Sequence, residues 1–139
     1  MTLVEADQAK AAFLMRACAE LGLREVEVVA RRAEEVGRDP RYRERFDVAV
    51  ARALAPMPVL VELCLPLVRV GGRLLAQKTG SEDLSRAGRA VEMLGGALSR
   101  TVAAPSSARR AGTVIIVDKV RPTPPAYPRR PGVPARKPL

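Results

Sequence analysis

At 139 residues and 47% hydrophobic content the chain has the length of one domain and enough apolar residues for an ordinary core. It has no histidine, which removes imidazole acid–base catalysis and most zinc and haem sites. A formal charge of +9 points toward an anionic partner, and the longest apolar run, Met57 to Val68, is too short to span a bilayer and is broken by Pro58, Glu62 and Pro66.

Phe13, Phe46, Tyr42 and Tyr127 are all the aromatics, so the core is expected to consist of Val, Leu, Ile and Ala. Glu5 and Asp7 stand where the apolar run of a secretion signal would begin. Cys18 and Cys64 lie far apart among apolar neighbours and read as free buried thiols of a reduced, cytoplasmic protein.

Thr2–Glu5 reads as the end of a strand, and Asp7 as the cap of the helix that follows. Ala11, Leu14, Cys18 and Leu21 recur at helical spacing until Gly22 stops the run. Val26–Ala30 is a second strand. Arg31–Arg45, with six cations and four acids, reads as a surface helix or loop. Phe46–Ala51 is a third strand and Pro56–Leu67 a mostly apolar helix. Gly71 and Gly72 are expected to turn the chain into a fourth strand, Arg73–Lys78. Glu82–Leu94 is an amphipathic helix closed by Gly95-Gly96. Leu98–Ala103 and Thr113–Val120 are two late strands. Alternating strands and helices argue for a parallel α/β sheet, and the two final strands for an antiparallel hairpin at one edge.

In such sheets ligands bind outside the carboxyl ends of the strands. Glu5 there can accept from both hydroxyls of a ribose, or be merely solvated. The backbone of Arg32-Ala33-Glu34 can flank an adenine, or open a solvated helix. Arg52 stands between an apolar strand and an apolar helix, where it is costly unless paired or at a cleft. Its alternative partner, Asp47, lies at the other end of the strand. Lys78 is a phosphate contact or a snorkelling surface lysine. No metal site, Ser/His/Asp set or Cys/His pair is apparent.

Residues Arg121–Leu139 (RPTPPAYPRRPGVPARKPL) carry seven prolines, five cations and no acid. This segment is expected to lie extended, with its guanidinium groups in solvent, as a tail suited to an anionic surface or as a plain linker.

Four stretches together resemble the RsmG (GidB) family, which methylates guanine N7 in small-subunit ribosomal RNA: TLVEADQAKAAFL, VVARRAEEV, FDVAVARALAPMPVLVELCLPLVRVGGRLLAQK and VIIVDKVRPTPPAYPRRPGVPARKPL. The resemblance implies a Rossmann-like class I methyltransferase that uses S-adenosylmethionine on 16S ribosomal RNA, a cytoplasmic monomer without metal or membrane contact. It implies that Glu5 binds the cofactor's ribose, that Ala33 and Glu34 flank its adenine, and that Arg52 is catalytic beside cofactor and target base. Lys78, Arg129 and Arg130 are implied to contact RNA. Residues 1–120 would then be a partial methyltransferase domain and 121–139 a basic tail.

The family also has amino-terminal helices, a central strand and a glycine-rich cofactor loop that these residues lack. The chain is therefore expected to start at the second strand, leaving the strands that end at Glu5 and Ala51 without a common neighbour. They are expected to stand as open edges or to close on each other and narrow the crevice. Thr79 before Gly80 also departs from the family pattern, as does the replacement near Gly112 of an arginine expected just before the last strand, for which Arg109 and Arg110 just upstream are either substitutes or not. The competing readings are a non-catalytic RNA-binding remnant and a proline-rich ligand acting through PPAYP or PRRPGVP.

Overall fold

A computed structural model of the chain describes residues 1–52, 54–79, 84–104 and 112–139. The expectations for Gly80, for the start of the Glu82–Leu94 helix and for Arg109-Arg110 lie outside these residues.

The amino-terminal unit is a strand–helix–strand. Strand β1 (Thr2–Val4) runs parallel to β2 (Glu27–Val29), with Thr2 opposite Glu27 and Val4 opposite Val29. Between them lies α1 (Gln8–Glu20), opened by the Asp7 carboxylate, which accepts the Lys10 N–H at 3.0 Å. Gly22, at φ +66°, turns the chain out of it. Of the helical stripe only Ala11 is fully buried. Leu14 and Cys18 are half-buried, and Leu21 is exposed.

After β2 only Ala33–Val36 forms helix (α2), and turns fill the rest of the charged segment. Asp39 gathers Arg31 and Arg41 at 2.9 and 2.8 Å. Tyr42 stacks on Phe46 and donates to Glu27 at 2.5 Å, tying this segment to both β2 and the next strand.

The second unit is a four-stranded sheet in the order β3-β4-β6-β5. Strand β3 (Phe46–Arg52) and strand β4 (Val68–Thr79) are parallel, crossed over by α3 (Met57–Cys64) and a 3-10 turn at Leu65–Leu67. The expected turn at Gly71-Gly72 is instead an irregularity inside a continuous β4. Phe46 pairs with Val68 but Val48 with Arg73, so extra residues of β4 are absorbed between them. Gly71, at φ +84°, makes the kink, and a Cβ on Gly72 would lie 2.5 Å from the Asp47 carbonyl oxygen.

Helix α4 (Ala87–Met93) follows a 3-10 turn at Leu84–Arg86. Strand β6 (Gly112–Lys119) then inserts antiparallel between β4 and β5 (Gly96–Ala104). The expected antiparallel pair is thus present, with the later strand inside and the earlier one at the edge. Leu60, Val61, Leu65, Leu74, Ala76, Val91, Leu94 and Val117 fill the core between this sheet and its helices.

The carboxyl-terminal segment does not extend into solvent. Its prolines leave backbone carbonyls without local donors, and arginines from the charged segment supply them. Arg38 Nε donates to the Pro128 carbonyl at 2.6 Å, and Arg43 donates to those of Tyr127 and Thr123 at 2.7 and 2.8 Å. Pro128 and Pro134 are buried, and residues Val133–Arg136 close as one helical turn, α5.

Candidate functional site

Strands β1 and β3 share no ladder: β1 pairs with β2, and β3 with β4. Their facing edges do not close on each other. A cleft of about 560 Å³ opens there, with Val4 on one wall and Val48 and Val50 on the other. Val50, in mid-strand, remains 74% exposed.

The cleft collects the residues expected at the strand ends. Glu5 follows β1, Ala33 and Glu34 follow β2, and Arg52 ends β3, and all four line it. Both carboxylates are oriented by the backbone. Glu5 Oε1 accepts the Asp7 N–H at 2.8 Å, and Glu34 Oε1 accepts the Gly132 N–H at 2.9 Å. The second oxygen of each has no partner among the described residues, so each retains acceptor capacity toward a hydroxyl or amine. Glu34 is buried as a residue, but none of the fully buried side-chain oxygens among the described residues lacks a partner, so its second oxygen is open to the cleft.

Arg52 is exposed, and its guanidinium meets no carboxylate among the described residues. Asp47 stands at the opposite end of the strand and pairs with Arg69 at 2.7 Å. Arg52 therefore offers five donors and a positive charge at the cleft mouth. Cys64 also lines the cleft, but burial pushes its thiol up to about 12, which keeps it protonated.

The remaining basic candidates lie elsewhere. Lys78 is buried, donates to the Ala55 carbonyl and does not line the cleft. Arg129 turns inward to Glu62, whereas Arg130 is exposed. Sequence reasoning missed the contribution of the carboxyl-terminal segment, from which Gly132 and Ala135 form part of the cleft wall. The available signal was Glu62, an acid at the centre of an apolar helix, which requires a buried cationic partner.

A family model for GidB, described as rRNA small subunit methyltransferase G, matches residues 1–110. Curated proteins called Ribosomal RNA small subunit methyltransferase G from Moorella thermoacetica and Roseiflexus castenholzii are 47% and 46% identical over the whole chain. The chain spans 59% and 60% of their lengths.

Among solved structures, an rRNA methylase from Streptococcus thermophilus is 15% identical with a TM-score of 0.60, covering 86% of this chain and 73% of its own. A T. thermophilus 16S rRNA N2 G1207 methyltransferase, solved with AdoMet and guanosine, is 16% identical with a TM-score of 0.56. That match covers 88% of this chain and 30% of the other. These likenesses establish a Rossmann-like α/β methyltransferase fold.

Proposed function

The chain belongs to the rRNA small subunit methyltransferase G family, and from that premise we propose that its cleft binds S-adenosylmethionine for methylation of guanine N7 in 16S ribosomal RNA. The observation that carries this reading is the convergence of Glu5, Ala33, Glu34 and Arg52 on one cleft at the carboxyl ends of three strands.

The donor set fits the ligand. The free oxygen of Glu5 accepts a ribose hydroxyl. The backbone at Ala33 and the carboxylate of Glu34, which line the same cleft, would supply acceptors for an adenine edge and its amine. Arg52 lies at the end of β3 on the opposite wall, where its guanidinium would meet an anionic or electron-rich group. When bound, the cofactor supplies an electrophilic methyl group on a sulfonium sulfur.

The residues here are suited to alignment rather than proton transfer. Guanine N7 already carries a lone pair, so no base is needed to expose it, consistent with a chain that has no histidine. Orientation alone is a large effect, since well-placed reactants gain several kcal/mol relative to free collision. Arg52 is the catalytic candidate because its exposed guanidinium stands at the cleft mouth, where its planar fork would hold a target base beside the bound cofactor. The exposed Arg130 is the remaining tail candidate for a phosphate contact.

Transfer of a labelled methyl group to undermethylated 16S ribosomal RNA tests the reading. Label on guanine N7 with the wild-type chain, and none with Arg52→Ala, is expected. Equal turnover by the variant overturns the role of Arg52. The net charge of +9 favours a second reading, a non-catalytic RNA-binding module, which predicts salt-dependent RNA binding without any methyl transfer.

A further inference from the structure

Arg129 and Glu62 form an ion pair of three hydrogen bonds that joins the carboxyl-terminal segment to α3. Glu62 sits on α3 with no exposed side-chain surface. Its Oε1 accepts the backbone N–H of Arg129 at 2.9 Å and Nε at 2.8 Å, and its Oε2 accepts Nη2 at 2.5 Å. The Arg129 Nη2 also donates to the Lys137 carbonyl at 2.8 Å. One guanidinium therefore ties α3 to both ends of a loop that runs from residue 129 to 137.

That loop is the part of the carboxyl-terminal segment that reaches the cleft. Gly132 and Ala135 line it, and the Gly132 N–H holds Glu34, itself a cleft residue. Gly132 adopts φ +79°, which aims this N–H without the strain a side chain would bring. Residues before the loop have anchors of their own. Arg38 and Arg43 hold the carbonyls of residues 123 to 128, and Lys119 holds Thr123. Glu62 is thus not needed to keep residues 121–128 in place, and with Glu34 it supplies the side-chain hydrogen bonds that anchor residues 129–137 to the rest of the described structure.

We infer that Glu62 is a positioning residue: through Arg129 it holds the Gly132–Ala135 wall against Glu34 and so shapes the nucleoside side of the cleft. The ligand consequence rests on the proposed cofactor reading, whereas the anchoring of the wall does not. A bidentate guanidinium clamp is suited to this because it fixes direction as well as distance. Buried pairs add little net stability against an apolar substitute, so a positional role explains the retention of a charge in an apolar helix.

The test combines local hydrogen exchange with titration of S-adenosylhomocysteine, on the full chain. Glu62→Gln keeps the side-chain volume and leaves Arg129, which is 25% exposed, free to turn to water. Gly132→Ala strains the wall without touching α3. Both variants are expected to lose amide protection across residues 130–137, to keep it at residues 120–127, and to weaken S-adenosylhomocysteine about tenfold. Arg129→Lys, which retains the charge but not the fork, is expected to fall between them and the wild type.

Unchanged protection at 130–137 in Glu62→Gln, or lost protection with unchanged affinity, overturns the inference. If the wild-type chain binds no S-adenosylhomocysteine, the cofactor reading and the ligand consequence fall together. The anchoring is then decided by the exchange pattern alone. Global loss of protection in Glu62→Gln while Gly132→Ala keeps both wall protection and affinity would mean that the pair holds the fold and not the wall, and also overturns it.

Discussion

Lys119 Nζ donates to Thr123 Oγ1 at 2.6 Å in the interior, at the point where the last strand passes into the carboxyl-terminal segment. The ammonium has no exposed surface. It also donates to the Leu65 carbonyl at 2.7 Å and lies 3.1 Å from the Glu44 carboxylate. Burial pushes its pKa down, and the hydrogen bond to Glu44 opposes that shift.

Lys119→Met removes the donor from Leu65 and the partner from Glu44 while nearly conserving volume. We expect a loss of about 2–3 kcal/mol in urea unfolding. A change below 0.5 kcal/mol, as at ordinary surface sites, would show that the network contributes little.

Gly95 predicts a larger effect from a smaller change. It ends α4 at φ +83°, and a Cβ there would stand 2.2 Å from the Arg121 carbonyl oxygen. That contact involves backbone on both sides and has no flexible end to give way. Gly95→Ala is expected to cost about 3 kcal/mol or more and to displace Val120 and Arg121, whose N–H groups donate to the Gly95 carbonyl. A thermal midpoint equal to wild type contradicts this packing.

Acid sensitivity should centre partly on Asp39. The hydrogen bonds from the Arg41 side chain and backbone, followed by that from Arg31, hold its carboxyl well below the usual carboxylate range. A carboxyl lowered on folding contributes stability that is complete above its unfolded value and is lost as the pH falls toward its folded one. Asp39→Asn should therefore lose less stability than wild type between about pH 5 and pH 3. Identical losses would place the acid sensitivity elsewhere.

The thiol of Cys64 is raised to about 12 by burial, so the folded chain should resist alkylation there at mildly alkaline pH. Mass spectrometry after iodoacetamide treatment should find Cys64 unmodified in buffer and modified in denaturant. Rapid labelling in buffer would mean that α3 opens readily.

Much of the site was readable because its residues follow strands directly. Glu5, Ala33, Glu34 and Arg52 stand at chain positions where periodicity changes from strand to helix, and a parallel sheet brings such positions together. What escaped reading depended on distant partners. Gly71 and Gly72 look like a turn, yet the local chain cannot show that the Asp47 carbonyl lies against them and that β4 continues through. The carboxyl-terminal prolines read as an open arm because the donors that satisfy their carbonyls, Arg38 and Arg43, lie some eighty to ninety residues earlier. Arg129 reads as a cation for solvent until Glu62 is seen opposite it.

Calorimetric titration of S-adenosylmethionine into the purified, folded chain tests the central claim most directly. Saturable one-to-one binding, abolished by Arg52→Ala without a change in thermal midpoint, is the predicted result. The absence of binding heat at several temperatures from a chain with intact circular dichroism would contradict the claim that this cleft holds the cofactor.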